Sequence, residues 1–203
     1  LDECRAAVEM IDADALVFHL NPLQEALQPE GQCDFRGLIA KMGEIASRLD
    51  VPVIAKEIGC GMSGGTARRL KEAGIEILDT AGLGGTSWAR IEAARARDVE
   101  IGELFADWGV ATPRSIRELA EVDGVTVIGS GGVRTGLDVA KAIALGADLV
   151  GMAQPFLEAA NESTERAVET CRRTLRELKI AMFCVGAIDV AALQRVELRR
   201  RRG

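Results

Sequence analysis

Five short apolar runs alternate with amphipathic stretches along the chain. Each run is apolar at successive positions, and therefore on both faces, which is typical of strands buried in a parallel sheet. The runs occupy residues 14–21, 51–59, 74–82, 124–132 and 147–155. No Pro/Ser-rich linker and no shift in composition divides them. The pattern therefore predicts repeated β–α units within one α/β domain.

Helical spacing of apolar residues fills the intervals between the runs. The predicted helices cover residues 2–12, 35–49, 65–73, 112–122, 137–145 and 161–179. Thr112 is predicted to cap the helix that begins at Pro113. Gly146 is predicted to end the helix at 137–145. In residues 161–179 acidic side chains come early and basic ones late, in line with the helix dipole.

Two parallel layouts agree with this pattern, the doubly wound open sheet and the (β/α)8 TIM barrel. The first usually carries a GxGxxG turn after its first strand. Here the first strand ends in HLNPLQE, and glycine-rich turns follow the last two strands, where a barrel binds phosphate. We therefore favour the barrel. Because a barrel has eight strands, we expect residues 1–203, which begin with Leu1, to be the C-terminal part of one such domain, with its C-terminal five strands.

Composition and charge exclude several classes of protein. The chain is 48% hydrophobic and 28% charged, which excludes a disordered polymer. A net charge of −6 makes nucleic acid an improbable partner, and we expect the basic run at 199–202 to be a solvated terminus. Five widely spaced cysteines without a CxxC pair indicate reduced thiols and a cytoplasmic location. The apolar stretch 180–193 is too short to span a membrane.

Glycine-rich turns after the last two strands suggest a phosphate site. Gly131 and Gly132 end one strand and Arg134 follows, so that backbone N–H groups and a guanidinium come together. Ala153 and Gln154 lie between the final strand and the next helix. Two such segments on neighbouring strands predict a site for a phosphorylated cofactor or substrate.

Polar side chains also follow the earlier strands. Pro22 is expected to break the first strand, so that Gln24 and Glu25 lie in a loop over the open end of the sheet. A carboxylate beside an amide suits a hydrated Mg²⁺ bound next to a substrate phosphate. Lys56, within the second strand, is expected to be mostly buried and to need an anionic partner. That partner is Glu57, another side chain or a ligand.

Several motifs together resemble those of the FMN-dependent type 2 isopentenyl-diphosphate isomerases. The resemblance extends from about residue 14 to residue 193 and rests on HLNPLQE, PVIAKEIGCGMS, AGLGGTSW, SGGVRTGLDVAKAIALGAD and GMAQPFL. HLNPLQE and GGTSW are the most specific of these. The resemblance implies an isomerase of isoprenoid biosynthesis that interconverts isopentenyl and dimethylallyl diphosphates on reduced FMN. It also implies Mg²⁺ on the diphosphate, NADPH as reductant of the flavin, and a homo-oligomer, tetrameric or octameric.

The matching motifs imply a role for individual residues. Gln24 would be the catalytic residue near the substrate double bond, Glu25 the Mg²⁺ ligand, and His19 and Asn21 would line the substrate pocket. The residues that would contact FMN, from its pyrimidine edge to its phosphate, are Lys56, Thr86, Gly132, Val133, Arg134, Ala153 and Gln154.

Two other functions remain as alternatives. The SGGVR segment is shared with FMN-dependent barrel oxidoreductases of the 2-hydroxy-acid oxidase and inosine-monophosphate-dehydrogenase types. The oxidases carry a catalytic histidine after a later strand, whereas the one histidine here is His19. A binding module that has lost catalysis is disfavoured because Gln24, Glu25 and Lys56 are all present.

Overall fold

The computed structural model describes residues 1–199 of the chain, and all five apolar runs contain a strand. The strands are β1 (Leu16–Leu20), β2 (Val53–Glu57), β3 (Ile77–Asp79), β4 (Thr126–Gly129) and β5 (Leu149–Val150). They form one parallel sheet in the order β1-β2-β3-β4-β5. Successive units therefore lie side by side, as they do in a (β/α)8 barrel.

Eleven helices accompany the strands in the described part of the chain. They are α1 (Asp2–Met10), α2 (Pro22–Leu27), α3 (Leu38–Ala46), α4 (Gly64–Glu72), α5 (Trp88–Ala96), α6 (Val99–Leu104), α7 (Thr112–Ala120), α8 (Gly136–Ala144), α9 (Gln154–Glu162), α10 (Thr164–Cys184) and α11 (Val190–Gln194). Gly146, with φ of +110°, follows α8 as predicted. Helices α2, α5, α6 and α11 lie outside the predicted ranges, and α9 overlaps them only at residues 161 and 162.

Two predictions about helix ends are wrong. Ala111, not Thr112, is the N-cap of α7, and the Thr112 hydroxyl instead donates to the carbonyl oxygen of Gly131 at 2.7 Å. The helix predicted over 161–179 corresponds to α10 but begins three residues later, since Ser163 ends α9 and its side chain accepts the N–H of Arg166. The last turn of α10 carries no basic residue.

The C-terminal region bears on two further predictions. Residues 180–193 form the end of α10, a turn and the start of α11 rather than one apolar segment. Within residues 1–199, none of the helices combines the length and the apolar character that crossing a bilayer requires. Residues 200–202 of the basic run lie outside the described residues.

A continuous core fixes the sheet against the helices. Ala55, Leu78 and Val127 are buried and follow one another across β2, β3 and β4. They pack with Leu70 of α4 and Ile116 of α7 in a single cluster. Because all five strands run parallel, their carboxyl ends lie at one edge of the sheet.

The loops after β3 and β4 approach each other so closely that side chains do not fit between them. The N–H of Gly82 donates to the carbonyl oxygen of Ser130 at 2.8 Å. A Cβ on Gly131 would lie 2.2 Å from the carbonyl oxygen of Gly82, and one on Gly132 would lie 2.2 Å from that of Gly84. Both contacts are with backbone, which cannot swing aside, so glycine is required at these two positions.

The sheet has two open edges within the described residues. There β1 pairs only with β2, and β5 pairs only with β4. Val17 on β1 and Leu149 on β5 are 48% and 57% exposed. The described residues therefore hold five strands of a partial barrel, as the sequence predicts, and no closed barrel.

A pair of glycine substitutions separates crowding from backbone strain. Gly132 and Gly37 both have φ of +72°, but a Cβ on Gly37 would meet nothing within 4 Å. Both Gly→Ala changes carry the strain of a left-handed residue, and only Gly132→Ala adds a clash with backbone. We expect Gly132→Ala to lower the free energy of unfolding by about 2 kcal/mol more than Gly37→Ala in urea denaturation. Equal losses would contradict the close approach of the loops.

Candidate functional site

A cavity of about 400 Å³ lies at the carboxyl ends of β2 to β5. Its walls come from the segments that follow these strands, including Trp88 at the start of α5 and Met152 after β5. All seven residues predicted to contact a cofactor line it, namely Lys56, Thr86, Gly132, Val133, Arg134, Ala153 and Gln154. The fold therefore brings together residues that are up to 98 positions apart (154 − 56).

One end of the cavity is rich in hydrogen-bond donors. The Arg134 guanidinium donates to the carbonyl oxygens of Gly132 and Gly84 at 3.1 and 3.3 Å, and forms no salt bridge within residues 1–199. In the same part of the chain, the N–H groups of Gly132 and Val133 donate to no protein acceptor. Gln154 begins α9 beside them. An uncompensated guanidinium and free N–H groups suit a phosphate.

Lys56 has a protein partner in the cavity. Its Nζ lies 3.1 Å from Oδ2 of Asp79, so the anionic partner is Asp79 on β3 and not Glu57. The Lys56 side chain is 34% exposed, which agrees with the expectation that it is mostly buried. Asp79 was not among the predicted site residues, although an acidic residue ending an apolar strand is a signal that could have identified it.

Glu57 faces the other side of β2 and organises the next loop. Its Oε2 accepts the N–H groups of residues 58, 59, 60 and 61 at 2.6, 2.8, 2.6 and 3.1 Å. Burial raises the pKa of this carboxyl, against the opposing effect of the four hydrogen bonds. Burial and the nearby Glu57 also raise the pKa of Cys60 to about 11, so that its thiol is protonated at neutral pH.

The predicted polar group after β1 is held together by Asn21. Gln24 and Glu25 lie on the short helix α2 rather than in a loop, because Pro22 starts this helix instead of only ending the strand. The Asn21 side-chain amide donates to Oε1 of Gln24 at 3.1 Å and to Oε1 of Glu25 at 3.0 Å. The three polar side chains are therefore neighbours, as the sequence predicts.

His19, on β1, is next to a residue that lines the cavity. It lies beside Lys56 in the register of β1 with β2. Desolvation and the charge of Lys56 lower the pKa of His19, and the charge of Glu25 opposes this effect. The imidazole is therefore neutral at pH 7.

A buried carboxylate fixes the side chain of Gln24. The Gln24 Nε2 donates to Oε1 of Glu92 at 2.7 Å, and Glu92, on α5, is 1% exposed. Arg95 pairs with the other oxygen of Glu92 and also with Glu30 at 2.8 Å. Sequence reasoning missed Glu92, since no predicted helix covers this residue and nothing in the local sequence distinguishes it from a solvated carboxylate. The Gln24 amide is thereby held with its NH₂ towards Glu92 and its oxygen towards Asn21.

Glu25 is the predicted metal ligand. Hydrogen bonds from the N–H of Gln32 and from Asn21 hold the pKa of its carboxyl below the ordinary value, so that it is ionised at neutral pH. Among residues 1–199 no three His, Cys, Asp or Glu side chains form a cluster that could hold a metal ion. A single carboxylate suits Mg²⁺ that keeps most of its water or binds substrate oxygens, rather than a cage of protein ligands.

The chain is similar to several curated proteins that share the name isopentenyl-diphosphate delta-isomerase. It is 50% identical over 197 residues to isopentenyl-diphosphate delta-isomerase of Synechococcus sp., covering 95% of this chain and 57% of that protein. It is 52% identical over 198 residues to the enzyme of the same name from Halobacterium salinarum, with coverages of 94% and 54%. The chain thus spans a little over half the length of these relatives.

Solved structures share the fold at low sequence identity. A (putative) lactate oxidase of Pediococcus acidilactici superposes with a TM-score of 0.72 at 18% identity, covering 96% of this chain and 56% of that chain. GMP reductase of Trypanosoma brucei superposes with a TM-score of 0.65 at 24% identity, with coverages of 96% and 42%. These structures support the partial barrel and no particular reaction.

A family model gives the assignment directly. The model described as FMN-dependent dehydrogenase matches residues 32–200, which is most of the chain and includes the whole cavity. The resemblance seen in the motifs is confirmed by the curated relatives. The chain belongs to the FMN-dependent dehydrogenase family, within the group whose curated members are named isopentenyl-diphosphate delta-isomerase.

Proposed function

We propose that the protein interconverts isopentenyl diphosphate and dimethylallyl diphosphate on reduced FMN with Mg²⁺. One observation carries the proposal: all seven residues predicted to contact the cofactor line one cavity. The names of relatives at 42–52% identity support it. Because the chain spans only part of their length, the activity is proposed for a complete barrel, of which residues 1–203 form the C-terminal part.

FMN fits the chemistry of the cavity. Its phosphate would be held by Gly132, Val133 and Arg134, with the N–H groups of Ala153 and Gln154 at the start of α9 on the other side. Lys56 would lie at the pyrimidine edge of the ring, and Thr86 would contact the ring from the loop after β3. Reduced FMN would supply the proton transfer at the allylic carbon, with no net oxidation of the substrate.

The residues of α2 would orient the diphosphate substrate. An amide is a poor acid, so Gln24 would act by contact with the reacting end of the substrate, in the orientation set by Glu92 and Asn21. Glu25 would hold the Mg²⁺ that binds the diphosphate. His19 would enter the pocket as a neutral donor, because its pKa is lowered.

Further parts of the proposal concern partners and location. We propose NADPH as the reductant of the flavin and a homo-oligomer, tetrameric or octameric, as the assembly. A net charge of −6 supports the absence of nucleic acid as a partner. Five cysteines without a disulfide in the described structure support a reducing compartment, and we propose the cytoplasm.

The reaction itself is tested with a purified complete barrel that includes residues 1–203, isopentenyl diphosphate and ¹H NMR. With FMN reduced by NADPH and with Mg²⁺ present, we expect dimethylallyl diphosphate to form without consumption of stoichiometric reductant. Omitting Mg²⁺, or keeping FMN oxidised, should abolish the product. Net oxidation of a hydroxy acid or nucleotide with reduction of the flavin would instead establish an oxidoreductase. A protein that binds no FMN would contradict the proposal altogether.

The phosphate end is tested by comparing FMN with riboflavin, which lacks the phosphate. Arg134→Ala removes a charged donor, so we expect the Kd of FMN to rise about tenfold to a hundredfold and that of riboflavin to stay within threefold. Arg166→Ala, at an exposed site on α10, is the matched control and should change neither. Equal weakening of both ligands by Arg134→Ala would place the phosphate elsewhere.

The role of Gln24 is tested by Gln24→Leu, with Gln194→Leu as control on α11, where the side-chain amide bonds Ala147 and Asp148. Loss of an oriented amide at the reacting atoms should lower kcat on the order of a hundredfold. The Kd of FMN should be unchanged, because Gln24 lies outside the cavity lining. If Gln24→Leu keeps the kcat of the control, Gln24 does not contact the reacting atoms.

A further inference from the structure

Asp79 is the acidic residue of the cavity, and it lies outside the residues proposed to contact FMN or substrate. The charged residues that line the cavity within residues 1–199 are Lys56, Asp79 and Arg134. Two of the three are cations that suit a flavin phosphate and a reduced ring. The third is a carboxylate of which only 12% of the side chain is exposed. A negative charge in the binding site of an anionic cofactor requires a physical reason.

The carboxylate is held from three directions. Its Oδ2 pairs with Nζ of Lys56 at 3.1 Å, and its Oδ1 accepts the hydroxyl of Ser130 and the N–H of Ala81, the latter at 3.1 Å. Lys56 is on β2 and Ser130 directly follows β4, so the contacts of Asp79 reach both neighbouring strands.

Two further features show that this arrangement is built into the sheet. Lys56 and Asp79 are direct partners in the register of β2 with β3, so that their side chains leave the sheet side by side. Ser130 is fixed in turn, because its N–H donates to the hydroxyl oxygen of Thr80 at 2.9 Å, and Thr80 is fully buried. The position of the carboxylate therefore follows from the fold and does not depend on a ligand.

We propose that Asp79 positions the Lys56 ammonium in the cavity and offsets part of its charge, which lowers the reduction potential of bound FMN. The inference rests on the proposed function, since it takes FMN as the ligand. Reduction to the anionic flavin adds a negative charge to the ring, which Lys56 stabilises and Asp79 destabilises. Both effects act at short range in a partly buried site, where screening by salt is weak. The pair thus sets how readily the flavin is reduced.

The test uses Asp79→Asn, which keeps the shape of the side chain and removes its charge. We measure the midpoint potential and the Kd of oxidised FMN in the purified, FMN-loaded protein. We expect the ratio of the Kd of oxidised FMN to the Kd of reduced FMN to be about tenfold higher in Asp79→Asn than in the wild type. For a two-electron couple this corresponds to a rise of about 30 mV. Lys56→Met should move the potential in the opposite direction.

Controls separate this effect from a loss of structure. Asp79→Glu keeps the charge and should keep the potential near that of the wild type. Asp148 lies at the amino-terminal end of the sheet, where its carboxylate accepts the N–H of Val127. Asp148→Asn should leave the potential unchanged. If Asp79→Asn does not fold, Asp79→Ser also removes the charge and carries the same expectation.

The outcomes distinguish this inference from the proposed function. A wild-type protein that binds no FMN would overturn the proposed function and the inference with it. A wild type that binds FMN, together with an Asp79→Asn variant whose potential is unchanged or lower, would overturn the inference alone. If Asp79→Asn changes the Kd of oxidised FMN but does not raise the midpoint potential, Asp79 has only a structural role, and the inference is likewise overturned.

Discussion

The contact between the backbones of two loops determines the shape of the candidate site. The loops after β3 and β4 meet at Gly82 with Gly131 and at Gly84 with Gly132, where there is no room for a Cβ atom. The Thr112 hydroxyl closes the contact from α7 by donating to the carbonyl oxygen of Gly131. Because the loops are this close, Gly132, Val133 and Arg134 line the same cavity as the residues that follow β3. A bulkier residue at this contact would separate the donors from the rest of the site.

The register of the sheet completes the site. His19, Lys56 and Asp79 lie in one row across β1, β2 and β3, so that an imidazole, an ammonium and a carboxylate adjoin at the same edge. Parallel pairing alone produces this row, since it places residues of equal depth next to each other. Helix α5 then adds the buried Glu92, which orients Gln24 above the edge. The electrostatics of the cavity and the orientation of the Gln24 amide thus both follow from the packing of β–α units.

Sequence reasoning identified what depends on local pattern and missed what depends on distant partners. The five strands were predictable because buried parallel strands are continuous apolar runs. The donor-rich end of the cavity was predictable because its glycines and Arg134 are close in sequence. The Asp79 partner of Lys56 depends on the register between two strands, which no local pattern reveals. Glu92 is 68 residues from Gln24, and its burial follows from where α5 packs. The sequence predicts only that Pro22 ends β1. Proline equally favours the first turn of a helix, and Pro22 begins α2.

The central claim is that this cavity, formed by the carboxyl ends of β2 to β5, binds FMN. The most direct measurement is a crystal structure of the protein with FMN. The claim predicts the phosphate within hydrogen-bond distance of the N–H groups of Gly132 and Val133 and of the Arg134 guanidinium, with the ring beside Lys56. A larger groove, of about 1530 Å³, lies on the other side of β2 between α2, α3 and α4. FMN bound in that groove, or with its phosphate away from Arg134, would contradict the account.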